Sequence, residues 1–328
     1  MPEYVIGVDG GNSKTDVVIL TTSGRLLARH RGPGISSPLI DLAAWRQRLA
    51  TVVNEARQLA GVPADTRARC AAYFLANVDL PIERRIARRE LERAGQAEVT
   101  VVQNDTVAVL RAGAGRPWGI AVTAGAGINA IGVHPSARVA RFLSLGDYAG
   151  DSGGGQNTGM LGLRAAVRHR DGRGPATVLS TTVPAHYGLR RPEDVAVAVH
   201  RGIIRYDELH VLAPLVFAAA RAGDAVATRI IAGFADEVVT MVNALVRRLR
   251  LTRSDVEVVL GGGTLQSADG LPLDRVTDGI LARAPAAQVT VLRVPPVFGA
   301  AVEAFDRIGV DASTLAEVKD TFTGSASD

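Results

Sequence analysis

Cysteine is nearly missing from this sequence. Cys70 is the only one in 328 residues. That excludes a disulfide framework, a cysteine-based zinc site and an iron–sulfur cluster built within one chain. Lysine is almost as scarce, with Lys14 and Lys319 alone, so the basic side is arginine. No solid apolar run occurs either. The longest uncharged stretch, Pro117–Val133, is broken by glycines, a Thr and an Asn, which a membrane helix would not tolerate so freely. The opening MPEYVIGVDGG enters a strand by Tyr4 with no basic and apolar leader, so a cytoplasmic location is expected.

What is present suits a globular protein: 47% hydrophobic and 21% charged residues. The length allows one large domain or two ordinary ones. A chain this long buries roughly 75% of its unfolded surface and needs no staples. The net charge of +4 invites a nucleic-acid reading. Along Glu83–Arg93, however, acids alternate with the arginines, which is the pattern of a solvated helix face. No nucleic-acid or membrane partner is expected. The 35 glycines gather in short clusters, where backbone turns sharply or approaches a ligand.

Tyr4–Val8, Asp16–Thr22 and Leu26–His30 read as a three-stranded meander. Leu42, Trp45, Leu49, Val52, Ala56 and Leu59 recur at helical spacing within Ile40–Ala60. A strand at Arg69–Leu75, a helix at Pro81–Ala94, a strand at Val99–Val102 and a helix at Asp105–Ala112 follow. From Trp118 the opening order repeats, with strands at Gly119–Thr123, Ile128–Val133 and Arg138–Ser144. Helices are then expected at Gln156–Arg170, Ala176–Val183, Pro192–Arg201, Glu208–Arg221 and Asp224–Arg250. A strand at Val256–Leu260, a helix, a short strand at Val289–Leu292, a final helix at Phe298–Ile308 and a frayed tail from Thr321 complete the chain. The class is α/β with two similar halves, changing near Ala112–Pro117. A ligand is expected in the cleft between the halves.

Five motifs carry the chemistry. Asp9-Gly10-Gly11-Asn12-Ser13-Lys14-Thr15 turns a strand end through two glycines into hydroxyls and a lysine. Such a hairpin can hold phosphate oxygens, and its Asp can hold Mg²⁺; an ordinary polar turn is the alternative. Gly125–Ala130 matches the dinucleotide fingerprint, but Ile128–Val133 reads as a strand where that fingerprint needs a helix. A phosphate-facing hairpin is the better reading. Gly150-Asp151-Ser152-Gly153 resembles a hydrolase nucleophile segment without the preceding strand, and the histidines offer Ser152 no clear triad partner. Asn104-Asp105 follows a strand, so Asp105 is either a general base or a helix cap. Gly261-Gly262-Gly263 after a buried strand would let a flat ligand approach the backbone, or simply turns the chain.

Taken together, these segments resemble the N-acetylglucosamine kinase and BadF-type ATPase family of the actin, sugar-kinase and heat-shock-chaperone superfamily. The resemblance is carried by GVDGGNSKTD at Gly7–Asp16, QND at Gln103–Asp105 and TAGAGIN at Thr123–Asn129. It continues in GDYAGDSGGG at Gly146–Gly155, DGRGP at Asp171–Pro175, PAHYGL at Pro184–Leu189 and LGGG at Leu260–Gly263. It implies two actin-like (ribonuclease H-like) domains, each with a mixed sheet flanked by helices, and ATP bound in the cleft between them. The first would span 1–115 and the second, with a helical insert, 116–296. The last helix, 297–310, would pack back onto the first.

The resemblance also implies roles. Asp9 would organise Mg²⁺, and Gly10, Gly11, Asn12, Ser13, Lys14 and Thr15 would face the phosphates of ATP. Thr123, Gly125 and Gly127 would lie along those phosphates, and Gly261, Gly262 and Gly263 would line the adenosine. Asp105 would take the proton from a sugar hydroxyl, with Ser36, Asn104, Asn129 and Asp151 binding the sugar. The expected activity is phosphoryl transfer from MgATP to an amino sugar or N-acetylhexosamine. The partner is a small-molecule sugar, and a homodimer is admitted. The chain departs from the family pattern at Pro38, Ala126 and Ser152. The alternatives are an activator ATPase of 2-hydroxyacyl-CoA dehydratases, a non-catalytic ATP- or sugar-binding protein, and a dinucleotide oxidoreductase. A lone Cys70 cannot supply the paired cysteines of the activator's cluster.

Overall fold

The computed structural model describes residues 2–35, 37–63, 65–267 and 270–324. The chain opens with β1 (Tyr4–Gly10), β2 (Lys14–Thr21) and β3 (Leu26–Pro33), then α1 (Leu42–Leu59) and β4 (Ala68–Leu75). Next come α2 (Pro81–Ala94), β5 (Ala97–Asn104) and α3 (Asp105–Gly113). The strands β6 (Gly119–Ala124), β7 (Ile128–Val133) and β8 (Val139–Arg141) lead into α4 (Gly154–Arg170). The helices α5 (Leu179–His186), α6 (Pro192–His200), α7 (Ala213–Arg221) and α8 (Ala225–Leu249) follow. Then come β9 (Glu257–Gly261), α9 (Gly263–Gln266), α10 (Leu271–Leu281) and β10 (Gln288–Val291). The chain closes with α11 (Val297–Ile308) and α12 (Ala312–Gly324).

Two compact units result, Met1–Ala121 with Leu292–Asp328, and Val122–Val291. In the first, five strands lie in the order β3-β2-β1-β4-β5. β1 pairs antiparallel with β2 and parallel with β4, and β4 runs parallel to β5. Tyr4, Ile6 and Val8 share one core with Trp45, Leu49 and Val52 of α1. The opposite face of β1 packs on α11. Burial on both faces explains why β1 is a nearly continuous apolar run rather than an alternating one. Buried Arg111 joins α3 to α11 through Glu303 at 3.3 Å and through Asp306.

α12 differs from expectation. The chain does not fray at Thr321 but stays helical to Gly324. Val318 and Phe322 are buried, and the Phe322 ring lies 5.4 Å from that of Phe298. Burying such a ring stabilises by about 1.5–3 kcal/mol, enough to hold a polar, low-propensity segment in place.

In the second unit the order is β10-β9-β6-β7-β8. β9 and β10 are parallel, and β7 and β8 antiparallel. β8 is shorter than the expected Arg138–Ser144: it runs from Val139 to Arg141, and Ser144 beyond it takes a left-handed φ of 55°. The 25-residue α8 is capped by Asp224, whose carboxylate accepts from the Val226 and Ala227 amides at 2.9 Å. The expected helix Glu208–Arg221 is divided: Tyr206–Leu212 is a 3₁₀ segment and α7 starts at Ala213. Pro214 sits in the first turn of α7, the one place where its missing N–H costs nothing.

Candidate active site

Two sets of groups stand out, one in each unit. In the first unit, the carboxyl ends of parallel strands β1 and β5 carry Asp9 and Asn104-Asp105. The Asp9 carboxyl is pushed up to about 8, by burial first and then by the charges of Asp105 and Asp16, against the pull of Lys14 and Arg31. Burial pushes Asp105 up to about 6, opposed by hydrogen bonds from Thr106. Asp105 is therefore a carboxyl whose ionisation sits near neutrality, as a general base requires.

The cap reading of this segment belongs to Asn104. Its side-chain oxygen accepts from the Thr106 amide at 3.1 Å, and its Nδ2 donates to Asp79 Oδ1 at 2.9 Å. Asp105, first residue of α3, is left for other work. Asp79 starts a network that the sequence did not reveal. The Asp79 and Leu80 amides donate to Glu83 Oε2 at 2.9 and 2.8 Å, and Ser37 Oγ donates to Glu83 Oε1 at 3.2 Å. Pro38 follows a serine whose hydroxyl is already engaged. The signal for this network was Asn77-Val78-Asp79 directly after a strand and before Pro81. Ser36 lies outside the described residues.

The first hairpin is tighter than read from sequence. Gly10 and Lys14-Thr15 belong to the strands, leaving Gly11–Ser13 as the turn, closed by Gly11 N–H to Lys14 O at 2.8 Å. Asn77 Nδ2 donates to Asn12 Oδ1, tying the turn to the loop after β4. Gly34 tucks beneath it, where an added Cβ would strike the Asn12 carbonyl. Thr15 is buried and donates its hydroxyl to Pro33 O at 2.8 Å, serving the sheet. The Lys14 ammonium is half exposed, 3.7 Å from Asp16. Asp16 is buried and gripped by Arg31 through two bonds of 2.7 and 3.0 Å. Sequence reading overlooked this pair, which is fixed by the cross-strand register Asp16↔Arg31.

In the second unit, Gly125–Gly127 forms the turn between β6 and β7, hydrogen-bonded neighbours in the sheet. Ile128–Val133 is a strand, so the helix that a dinucleotide fingerprint needs is not there. The turn is braced from outside. Gly125 O accepts from Gly155 N–H at 2.7 Å and from Thr264 Oγ1 at 3.0 Å, and Ala126 O from Gln156 N–H at 2.8 Å. Gly261 ends β9, Gly262 follows and Gly263 opens α9. Gly262 has φ +86°, and a Cβ there would lie 2.5 Å from Ala124 O. Thr123 Oγ1 is buried with no hydrogen-bond partner among the described residues. An orphaned hydroxyl at a strand end is a place for a ligand oxygen or its water.

Two cavities of this unit gather the expected residues. One of about 420 Å³ is lined by Gly125, Gly263, Thr264, His210, Phe217 and Arg221, among others. The other, about 400 Å³, is lined by Gly127, Ser144, Asp147, Asp151, Gln156 and Tyr206, among others. Asn129 stands on β7 and accepts from Ser144 Oγ at 2.5 Å. Asp151 accepts from Gly146 N–H at 2.8 Å. Ser152 follows a 3₁₀ turn at Asp147–Ala149, not a strand, so no nucleophile elbow is formed. Cys70 is buried and its thiol is pushed up to about 12 by that burial.

Comparison with known proteins agrees with this frame. Residues 6–304 match the model of the BadF/BadG/BcrA/BcrD ATPase family. The chain is 26% identical over 304 residues to an N-acetylmuramic acid/N-acetylglucosamine kinase of Clostridium acetobutylicum, covering 92% of this chain and 97% of that protein. It is 24% identical over 314 residues to an N-acetyl-D-glucosamine kinase of Dictyostelium discoideum, covering 93% and 98%. Among solved structures, one from Chromobacterium violaceum, provisionally named an N-acetylglucosamine kinase, superposes with a TM-score of 0.73 at 24% identity over 93% of this chain and 99% of that one. A ROK family glucokinase from Streptomyces griseus, solved with glucose and AMPPNP, gives 0.55 at 18% identity over 93% and 98%. At these identities the structures speak for the fold alone. Among the described residues, no single helix is long and apolar enough to cross a membrane.

Proposed function

The chain belongs to the BadF/BadG/BcrA/BcrD ATPase family, and from that premise we propose that it is a sugar kinase. It transfers the γ-phosphoryl group of ATP to a hydroxyl of an amino sugar or N-acetylhexosamine, in the cytoplasm where ATP is supplied. One observation supports this above the others. Two carboxyls, Asp9 and Asp105, stand at the ends of parallel strands in one unit, and the charge of Asp105 helps raise Asp9. The named kinases of Clostridium and Dictyostelium, related over nearly the whole chain, support the same reading.

Phosphoryl transfer asks the protein mainly for positioning and charge stabilisation. Asp105 accepts the proton of the attacking sugar hydroxyl. Gly10–Lys14, the Gly125–Gly127 turn and Thr123 address the phosphates, and Gly261–Gly263 the adenosine. Asn129 and Asp151 address the sugar, and Asn104, tied to Asp79 and the Thr106 amide, fixes the start of α3 beside Asp105. The crowding of Asp9 by Asp105 and Asp16 suits a divalent cation. Among the described residues no group of three or more His, Cys, Asp or Glu forms a protein cage. That fits Mg²⁺, which takes one or two carboxylates, keeps several waters and is shared with phosphate oxygens. Bound there through Asp9, Mg²⁺ would neutralise charge on the phosphates.

The test is an ADP-release screen with ATP over glucosamine, N-acetylglucosamine, N-acetylmannosamine, N-acetylmuramic acid and glucose. Turnover with at least one hexosamine is expected. Ser37 is spent on Glu83 and Pro38 offers no donor, so preference for the acetamido group is expected to be modest. ADP release that no sugar in the panel increases would contradict the reading.

A further inference from the structure

Away from these groups, the second unit holds a cavity of about 440 Å³ between α4, the start of α8 and Gly174-Pro175. Its charge is one-sided. Arg164 and Arg168 of α4 and Arg229 of α8 line it, and among the described residues no Asp or Glu does. The helical repeat causes this: Asn157, Leu161, Arg164 and Arg168 fall on one face of α4 at spacings of four, three and four. The floor is apolar, made by Leu161, Ile230 and Phe234. At Gly233, a wall residue, an added Cβ would meet nothing within 4 Å. Ser152 and Asn157 add polar atoms to the rim.

Three acids that flank these helices are already committed, and Glu237 of α8 lines a different cavity together with Asp151. Asp171 is held by Arg173 at 2.6 and 2.9 Å. Asp224 caps α8 and also accepts from the Val178 amide at 2.8 Å. Asp236 is held by Arg275 at 2.6 and 2.9 Å. α4 itself contains no acidic residue. Arg168 Nη2 donates to Arg173 O at 2.8 Å, and its charge also helps lower the pKa of Asp171, so Arg164 and Arg229 carry the cavity's positive side. The cavity lined by Asp147 and Asp151 adjoins at Asn157 and has the opposite sign.

Guanidinium forks match carboxylate and phosphate oxygens in pairs. A cavity of this size with an apolar floor suits a small organic molecule. We propose that this cavity binds a small organic anion, a carboxylate or phosphate carried on an apolar body, at a site distinct from those assigned to ATP and sugar. The apolar body lies on Leu161, Ile230 and Phe234, and the anionic head faces Arg164 and Arg229.

The experiment is calorimetry on the full chain with phenylacetate, phenyl phosphate and the neutral phenylacetamide. A Kd of about 1 mM or tighter is expected for at least one of the two anions, with the amide at least about tenfold weaker. Which anion binds more tightly identifies the preferred head group. Arg164→Gln with Arg229→Gln should weaken that anion at least about tenfold. The same variant should keep its melting temperature and its wild-type ATP turnover, since both side chains are exposed. Saturating ATP should leave anion binding unchanged. Equal binding of acid and amide, no saturation by about 20 mM, undiminished binding by the double variant, or displacement by ATP would each overturn the proposal. If the double variant melts lower, Arg229→Gln alone gives the same reading.

Discussion

The two units handle charge in opposite ways. The first crowds carboxyls at strand ends: Asp9 and Asp105 are both raised, and Asp16 must be held by Arg31 and Lys14. The second builds its candidate ligand surface from backbone, with Gly125–Gly127 braced by Gly155, Gln156 and Thr264. A buried carboxyl costs free energy and changes its proton affinity, so it suits chemistry. A braced turn presents oriented dipoles with no charge to desolvate, so it suits holding phosphate. On the proposed reading the first unit supplies the base and, through Gly10–Lys14, part of the phosphate contact, while the backbone turns of the second hold the rest of the nucleotide.

Substitutions can break that division. The largest effect should follow Asp105→Asn, with kcat falling about 10²- to 10⁴-fold as the base is lost; steady-state ADP release measures it, and a loss under about threefold would be the wrong outcome. Gly262→Ala should come next. A side chain at φ +86° pressed against Ala124 should cost about 1–3 kcal/mol, read as a lower melting temperature and weaker ATP binding in calorimetry. The pH profile should then show a single acid limb. Asp105, raised to about 6, is protonated below that value and cannot accept a proton, so kcat at saturating MgATP, where the metal keeps Asp9 ionised, should fall about tenfold per pH unit below it and level off above. A profile unchanged down to about pH 5 would remove Asp105 as the base. Lys14→Ala should have the smallest effect, a several-fold rise in KM for ATP, because its ammonium is half exposed and already near Asp16.

The same contrast explains how much could be read in advance. Strand ends and glycine turns are local features. Alternation along Ile128–Val133 was enough to choose a strand over the helix of a dinucleotide fold. Asp9 and Asp105 could be singled out because each ends or follows an apolar run. What sequence could not show was pairing across the chain. Arg31 meets Asp16 only through the register of β2 and β3, and Ser37 meets Glu83 across 46 positions. That Asn104, not Asp105, caps α3 depends on the Asn104–Asp79 bond from another loop. α12 was missed for a related reason. Its segment is polar and weakly helical, and it is held by the burial of Val318 and Phe322 against the first unit's core and by Asp311, which accepts from the Thr314 amide at its start.

The most direct measurement takes turnover and ATP affinity on the same preparation of Asp105→Asn. If the first unit's carboxyl does the chemistry while the second unit's backbone grips the nucleotide, turnover falls by about 10²-fold or more while the calorimetric Kd for ATP stays within about threefold of wild type. Full turnover, or an ATP affinity that collapses together with turnover, would contradict that division of labour.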